Sequence, residues 1–256
     1  MNAASWRIYR ALVAQDLRFR VLGSRLGLLW LILQPLLYLS FTTVVFFAVL
    51  GVRLGPGGVW EYAMGLLAGL VAWLAFSEGL GKAAPSLLER SYLLRNVPIP
   101  RWVVPLVPVA AALLYQGVCL TGVIGACAFR GTLGPGFWQI IPALFFEALL
   151  LCGFAWALSA VTVLFRDAQY LLNFALMAWL YLTPIFWPAH VVPDRLAALL
   201  VYLNPLALLV VLFRGALLGD PIPPNVWTTL AVLSVLVLGL GYLFFRRIED
   251  VVADFL

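Results

Sequence analysis

Charged residues are scarce in this sequence: Asp, Glu, Lys and Arg together make up 11% of the chain, against 64% for apolar types. Soluble domains carry about twice that charge and only about half apolar residues, so water is excluded as the solvent for most of the surface. Cysteine and histidine are nearly missing. The three cysteines, Cys119, Cys127 and Cys152, sit inside apolar runs without metal-ligand spacing and read as small buried hydrophobes. The single histidine, His190, lies between Pro188 and Pro193 and reads as a loop residue. No phosphate-binding glycine loop is present. The nearest look-alike, Gly79-Leu80-Gly81-Lys82-Ala83, lacks the first glycine and the hydroxyl after the lysine. Zinc-protease, serine-hydrolase and paired-carboxylate patterns are missing too, as is any module alternating aromatic and basic residues for nucleic acid. The chain is expected to be neither an ATPase nor a hydrolase, and to bind no metal and no cofactor of its own.

What is present is a series of long apolar runs, with a mean hydropathy of +1.05. A spanning helix needs about 20 apolar residues, so the length fits about six spans in one membrane domain covering residues 1–256. The fold class expected is all-α. The spans read as 26–50, 59–81, 102–128, 137–164, 169–188 and 225–245, the last followed by Arg246, Arg247 and a short acidic tail. The first run starts near Leu26, after an arginine-rich stretch, and is too long for a signal-peptide core, so it is expected to stay as a span. Residues 1–25 precede it as an amphipathic interfacial helix. There Trp6, Tyr9, Val13 and Leu17 recur at helical spacing, with Arg7, Arg10 and Arg18 largely off the stripe. That helix is either a topology anchor or a contact for a cytoplasmic partner.

Segment 189–224 holds two apolar runs, 196–203 and 206–218, divided by Asn204-Pro205. Each is too short to cross a bilayer, and proline interrupts the backbone ladder between them. They read as two re-entrant helices dipping into the outer half of the membrane and buried against protein, where broken backbone is tolerated. The basic residues place both termini in the cytoplasm, because the N-terminal segment, residues 82–101, Arg166, Arg246 and Arg247 hold most of them. That rule barely separates six spans from seven. The Asn204-Pro205 break favours six.

Two features invite chemistry. Glu147 falls near the middle of the fourth span, where an ionised acid costs about 2.5–3.5 kcal/mol. A proton relay would need further acids or bases, and none stands at helical spacing, so a protonated glutamate bonded to a neighbouring helix is the better reading. Segment 83–101 interleaves Leu87, Leu88, Leu93 and Leu94 with Glu89, Arg90 and Arg95, then stiffens at Pro98-Ile99-Pro100. It reads either as an ordinary interfacial loop or as a lever between two spans.

Several landmarks follow in order along nearly the whole chain: Arg25-Leu26-Gly27-Leu28-Leu29-Trp30 with Gln34-Pro35, Leu87-Leu88-Glu89-Arg90 and Phe165-Arg166-Asp167-Ala168-Gln169. Tyr181-Leu182-Thr183-Pro184-Ile185, Asn204-Pro205 and Phe244-Phe245-Arg246-Arg247 complete the set. The ordered set resembles the permeases of ABC transporters that export O-antigen, capsule or teichoic-acid chains on a polyprenyl-diphosphate carrier. The resemblance implies a homodimer in the bacterial inner membrane, with separate ATPase subunits that hold ATP and Mg²⁺. It makes 85–96 the coupling helix, with Leu88, Glu89, Arg90, Leu93 and Arg95 as candidate ATPase contacts. It also implies that the first and fifth spans line the substrate path, where Trp30, Tyr38, Tyr170, Phe174 and Tyr181 would meet sugar rings. Arg20 and Arg25 are candidates for the carrier diphosphate, or are topology signals. A drug or small-lipid exporter shares the six-span pattern; the aromatic content of 14% favours a glycan. A proton-coupled secondary transporter would need inverted repeats and paired intramembrane acids, and neither is found.

Overall fold

The computed structural model describes residues 3–21, 29, 30, 33, 37, 41, 44, 45, 58–97, 99–186 and 198–255. Among them every regular element is helical. Nine α-helices follow in order: α1 (Ala3–Val21), α2 (Gly58–Ala83), α3 (Ser86–Glu89), α4 (Ser91–Asn96), α5 (Leu106–Phe129), α6 (Ile140–Leu164), α7 (Ala168–Leu182), α8 (Pro205–Leu218) and α9 (Pro224–Phe255). Single 3₁₀ turns, Arg101–Val103 and Phe137–Gln139, lead into α5 and α6.

Among the described residues, four segments are long and apolar enough to cross a membrane: Trp60–Ala83, Arg101–Phe129, Phe137–Leu164 and Pro224–Val251. They match the second, third, fourth and last spans read from hydropathy. The chain is therefore a multi-pass membrane protein. The expected first span, 26–50, lies largely outside the described residues. The expected fifth, 169–188, is shorter in the fold, because α7 has 15 residues and ends at the Thr183-Pro184 break. At about 1.5 Å per residue it falls short of a hydrocarbon core of about 30 Å. The short acidic tail after Arg247 is helical, since α9 runs on without interruption to Phe255.

The central helix is α2, with Leu66, Ala68, Leu70, Ala72, Ala75 and Phe76 all buried. Glu61 in its first turn and Lys82 in its last both complement the helix dipole. Around it α5, α6 and α8 close the main core, whose largest buried side chains include Leu150, Leu151 and Phe213. Lipid is as apolar as leucine, so this assembly is held by close packing and hydrogen bonds rather than by escape from water. Glycines set the closest approach. A Cβ at Gly241 of α9 would overlap the Gly153 backbone of α6, and one at Gly153 would overlap the Val237 carbonyl.

The Asn204-Pro205 break is present. Asn204 accepts from the amides of Leu206 and Ala207, Pro205 opens α8, and Gly219 closes it in the left-handed conformation at φ 81°. All three are the residue types those positions favour. Of 14 residues in α8, 11 are buried, so this helix, apolar all round except at Arg214, is core rather than lipid surface. The run before it, expected as a second short helix, is only partly described. Its described part is one π-helical turn, Ala198–Tyr202. The remainder, with His190, lies outside the described residues.

A second, smaller cluster forms at the end of the bundle where α1 lies. Leu87, Ile99, Val103, Trp156 and Phe245 are buried there, with Ile8, Tyr9 and Leu12 of α1 against them. The Trp156 indole N–H donates to the Trp102 carbonyl at 2.8 Å. The stripe read in the sequence is largely present on the inward side of α1: Val13 is buried and Tyr9 and Leu17 are half-buried, whereas Trp6 is exposed, and Ile8, Leu12 and Asp16 widen the face.

Candidate functional site

Three arrangements hold the residues singled out above. The first is the turn between α2 and α5. Ser86 donates its hydroxyl to the Ala83 carbonyl at 2.6 Å, and Leu87 is wholly buried, so α3 is fixed to the end of α2. Arg90 occupies the break between α3 and α4. Its Nη2 donates to Asp16 Oδ1 of α1 at 2.5 Å, with both side chains largely buried. Leu88 and Leu93 are half-buried against the second cluster, while Glu89 and Arg95 face outward. Between those two stands Tyr92, 80% exposed, with Asn96 beside it. The five residues named for coupling therefore divide: two pack inward, one is held by α1, and two share an open face with Tyr92. Burial pushes the Tyr9 hydroxyl above its ordinary range, with Cys152 adding to the effect, and it stays a neutral donor to the Leu106 carbonyl at 3.4 Å.

The second is the face of α7. Tyr170, Phe174 and Tyr181 are 68%, 74% and 60% exposed and, with Met177, recur at helical spacing along one side. The opposite side carries Leu176 and Leu180, both buried. Trp30 is also exposed, at 40%, on a different segment. Tyr38 and Arg25 lie outside the described residues, as does the side chain of Arg20. The outward face of α9, by contrast, is mostly aliphatic, with Val232, Val235, Leu236, Leu240 and Leu243. Aliphatic side chains suit acyl chains. A row of aromatic rings with hydroxyl tips suits flat, hydroxyl-bearing ligands better.

The third is a polar knot where α7 ends. Trp179 donates its indole N–H to Asn204 Oδ1 at 2.8 Å, and Asn204 Nδ2 donates to the Thr183 hydroxyl at 3.0 Å. That hydroxyl donates in turn to the Trp179 carbonyl at 2.8 Å. Trp179 also meets Phe76 edge-on, with centroids 5.1 Å apart. From α8, Arg214 donates to the Ile185 carbonyl at 2.8 Å and to the Gly65 carbonyl of α2 at 3.0 Å. Thus Thr183-Pro184 and Asn204-Pro205, two separate breaks in the sequence, form one site in space.

Glu147 is fully buried, and Gln116 of α5 donates from Nε2 to its Oε2 at 2.8 Å. The expected bond to a neighbouring helix is present. Among the described residues no group of three His, Cys, Asp or Glu side chains is placed to hold a metal ion.

Asp16, Tyr92, Trp179 and Arg214 escaped the sequence reading. Asp16 had a signal, as the one acid among the arginines of residues 1–25. Arg214 had one too, as a lone cation in an apolar run.

Residues 8–218 match the ABC-2 type transporter family, most of the chain from α1 to the end of α8. The chain belongs to that family. ABC-2 relatives along nearly its full length carry one description. The O-antigen export system permease protein RfbA of Myxococcus xanthus is 26% identical over 238 residues, covering 89% of this chain and 87% of its own. The protein of that name from Klebsiella pneumoniae is 23% identical over 245 residues, covering 94% of this chain and 92% of its own. For an ABC-2 permease the three arrangements have natural places: an outward face beside a short helical turn, an aromatic helix face, and a rigid link behind it.

Proposed function

We propose that this chain is the channel-forming subunit of an ATP-driven exporter that moves a polyprenyl-diphosphate-linked polysaccharide across the bacterial inner membrane. It works as a homodimer, with both termini in the cytoplasm and a separate ABC ATPase subunit bound to each copy. The reading is carried by the exposed aromatic face of α7 in an ABC-2 permease whose relatives are described as O-antigen export permeases.

A glycan must slide, so its path needs contact without tight docking. Tyr170, Phe174 and Tyr181 offer ring faces to sugar C–H groups at successive heights, and the two tyrosines offer hydroxyls to sugar oxygens; Trp30 and Tyr38 of the expected first span would add to the path. No single ring dominates, and the chain can pass from one to the next. Arg20 and Arg25 at the cytoplasmic rim would meet the carrier diphosphate through their forked donors.

Force enters through the open face of α3 and α4. Glu89, Tyr92 and Arg95 meet the ATPase, while Leu87, Leu88 and Leu93 root the same turn in the second cluster. The Arg90–Asp16 pair ties α1 to that turn, so a push on α4 moves α1 and the ends of α2 and α5 together.

The test combines surface polysaccharide with nucleotide hydrolysis. Phe174→Ala with Tyr181→Ala is expected to lower export severalfold while ATP hydrolysis by the assembled complex continues. Both side chains are exposed, so the fold should survive. Unchanged export in the double variant would remove the aromatic path. Transport by the purified permease in liposomes without an ATPase would remove the whole reading.

A further inference from the structure

We propose that Trp179, Thr183, Asn204 and Arg214 act as positioning residues for export: together they form a polar bracket that fixes the Tyr181 end of the aromatic face. The inference rests on the reading of α7 as part of the substrate path.

Few buried side chains hold that end of α7. The helix is short, and only Leu176 and Leu180 of its side chains are buried. Leu172 and the Trp179 ring, edge-on to Phe76 and Phe154, pack there too, but apolar contact in a lipid-like setting is nearly isotropic and resists pulling better than sliding or rotation. Hydrogen bonds are directional, and in low dielectric they are strong. The bracket supplies them at the residues where the helix stops. Thr183 and Trp179 bond to Asn204, which is also the cap of α8, so Oδ1 of one amide accepts from the Trp179 indole and from two backbone amides. Arg214 holds the next turn through the Ile185 carbonyl and reaches the central helix at Gly65. Ile185 and Phe186 are buried, and the Tyr181 ring lies 6.1 Å from that of Phe186. Tyr181 therefore projects from an end that is pinned to α8 and α2.

A bracket serving only stability would be exchangeable for a well-packed apolar contact. The choice of an amide, a hydroxyl, an indole and a guanidinium, set on both sides of two chain breaks, specifies one orientation instead.

Substitutions that keep volume separate the two roles. Thr183→Val removes the acceptor of the Asn204 amide, Trp179→Phe removes the indole donor, and Thr183→Ser keeps the hydroxyl. The full permease is assembled with its ATPase, and three quantities are measured: surface polysaccharide, ATP hydrolysis and the thermal midpoint of the complex. The expected result is a severalfold fall in polysaccharide exported per ATP hydrolysed for Thr183→Val and Trp179→Phe, with hydrolysis kept and a fall in export larger than the modest drop in midpoint explains, and recovery in Thr183→Ser. Wild-type export in both variants overturns the proposal. So does a fall in export that only tracks loss of the midpoint, because the bracket would then be structural. Phe174→Ala, outside the bracket, is measured alongside. Impaired export there with a normal Thr183→Val rejects the bracket and keeps the path; normal export there rejects the path itself.

Discussion

Arg90 Nη2 and Asp16 Oδ1 meet at 2.5 Å across 74 positions of chain, joining the turn between α3 and α4 to the N-terminal helix. The pair is shielded, with 20% and 17% of the two side chains exposed, so water competes weakly for it. A hydrogen bond between charged groups of this kind contributes about 1.5–3 kcal/mol. Charge reversal at Arg90 alone is expected to weaken ATPase association and lower the thermal midpoint. The exchange of both residues, Asp16→Arg with Arg90→Asp, is expected to recover much of each. Co-purification of the ATPase subunit and thermal unfolding check this. An exchange as defective as the single reversal would mean that Arg90 is needed for something other than Asp16.

Tyr92 gives a contrasting case. It is 80% exposed, so Tyr92→Ala should change stability by no more than about 0.5 kcal/mol. Association with the ATPase should nevertheless weaken, since aromatic anchors dominate interfaces. Titration of the two purified subunits measures it.

The Gln116–Glu147 bond is buried between two spans. Gln116→Leu leaves the buried carboxyl without its donor and should cost about 1–3 kcal/mol. Glu147→Gln keeps shape and hydrogen bonding and should retain the wild-type midpoint. Thermal unfolding in detergent distinguishes the two.

Gly153→Leu is expected to be the most damaging single change. It places a side chain where the Val237 carbonyl already sits, and overpacking of this sort costs about 1–3 kcal/mol or more. Gly239→Ala on the facing helix meets open space and should be neutral or slightly stabilising. Expression level and midpoint report both.

The sequence by itself determined the class, the run of helices and most of their limits. Hydropathy over 59–81, 102–128 and 137–164 is a local property of consecutive residues, and a bilayer imposes a fixed length on each run. Asn204-Pro205 was equally legible, since a cap and a missing donor act within one turn. The ordered landmarks from Leu87 to Arg247 pointed to the family for the same reason: each is a short contiguous string. Tertiary structure alone decided the rest. The end of α7 is tied to the start of α8 because Thr183 meets Asn204, 21 residues away. Arg90 faces inward because Asp16 is brought across from α1, leaving Tyr92 on the open side. Glycine meets glycine at positions 153 and 241 because two helices cross there. None of these contacts lies within one helical turn, and the pattern along one strand of residues carries no information on which distant partner will arrive.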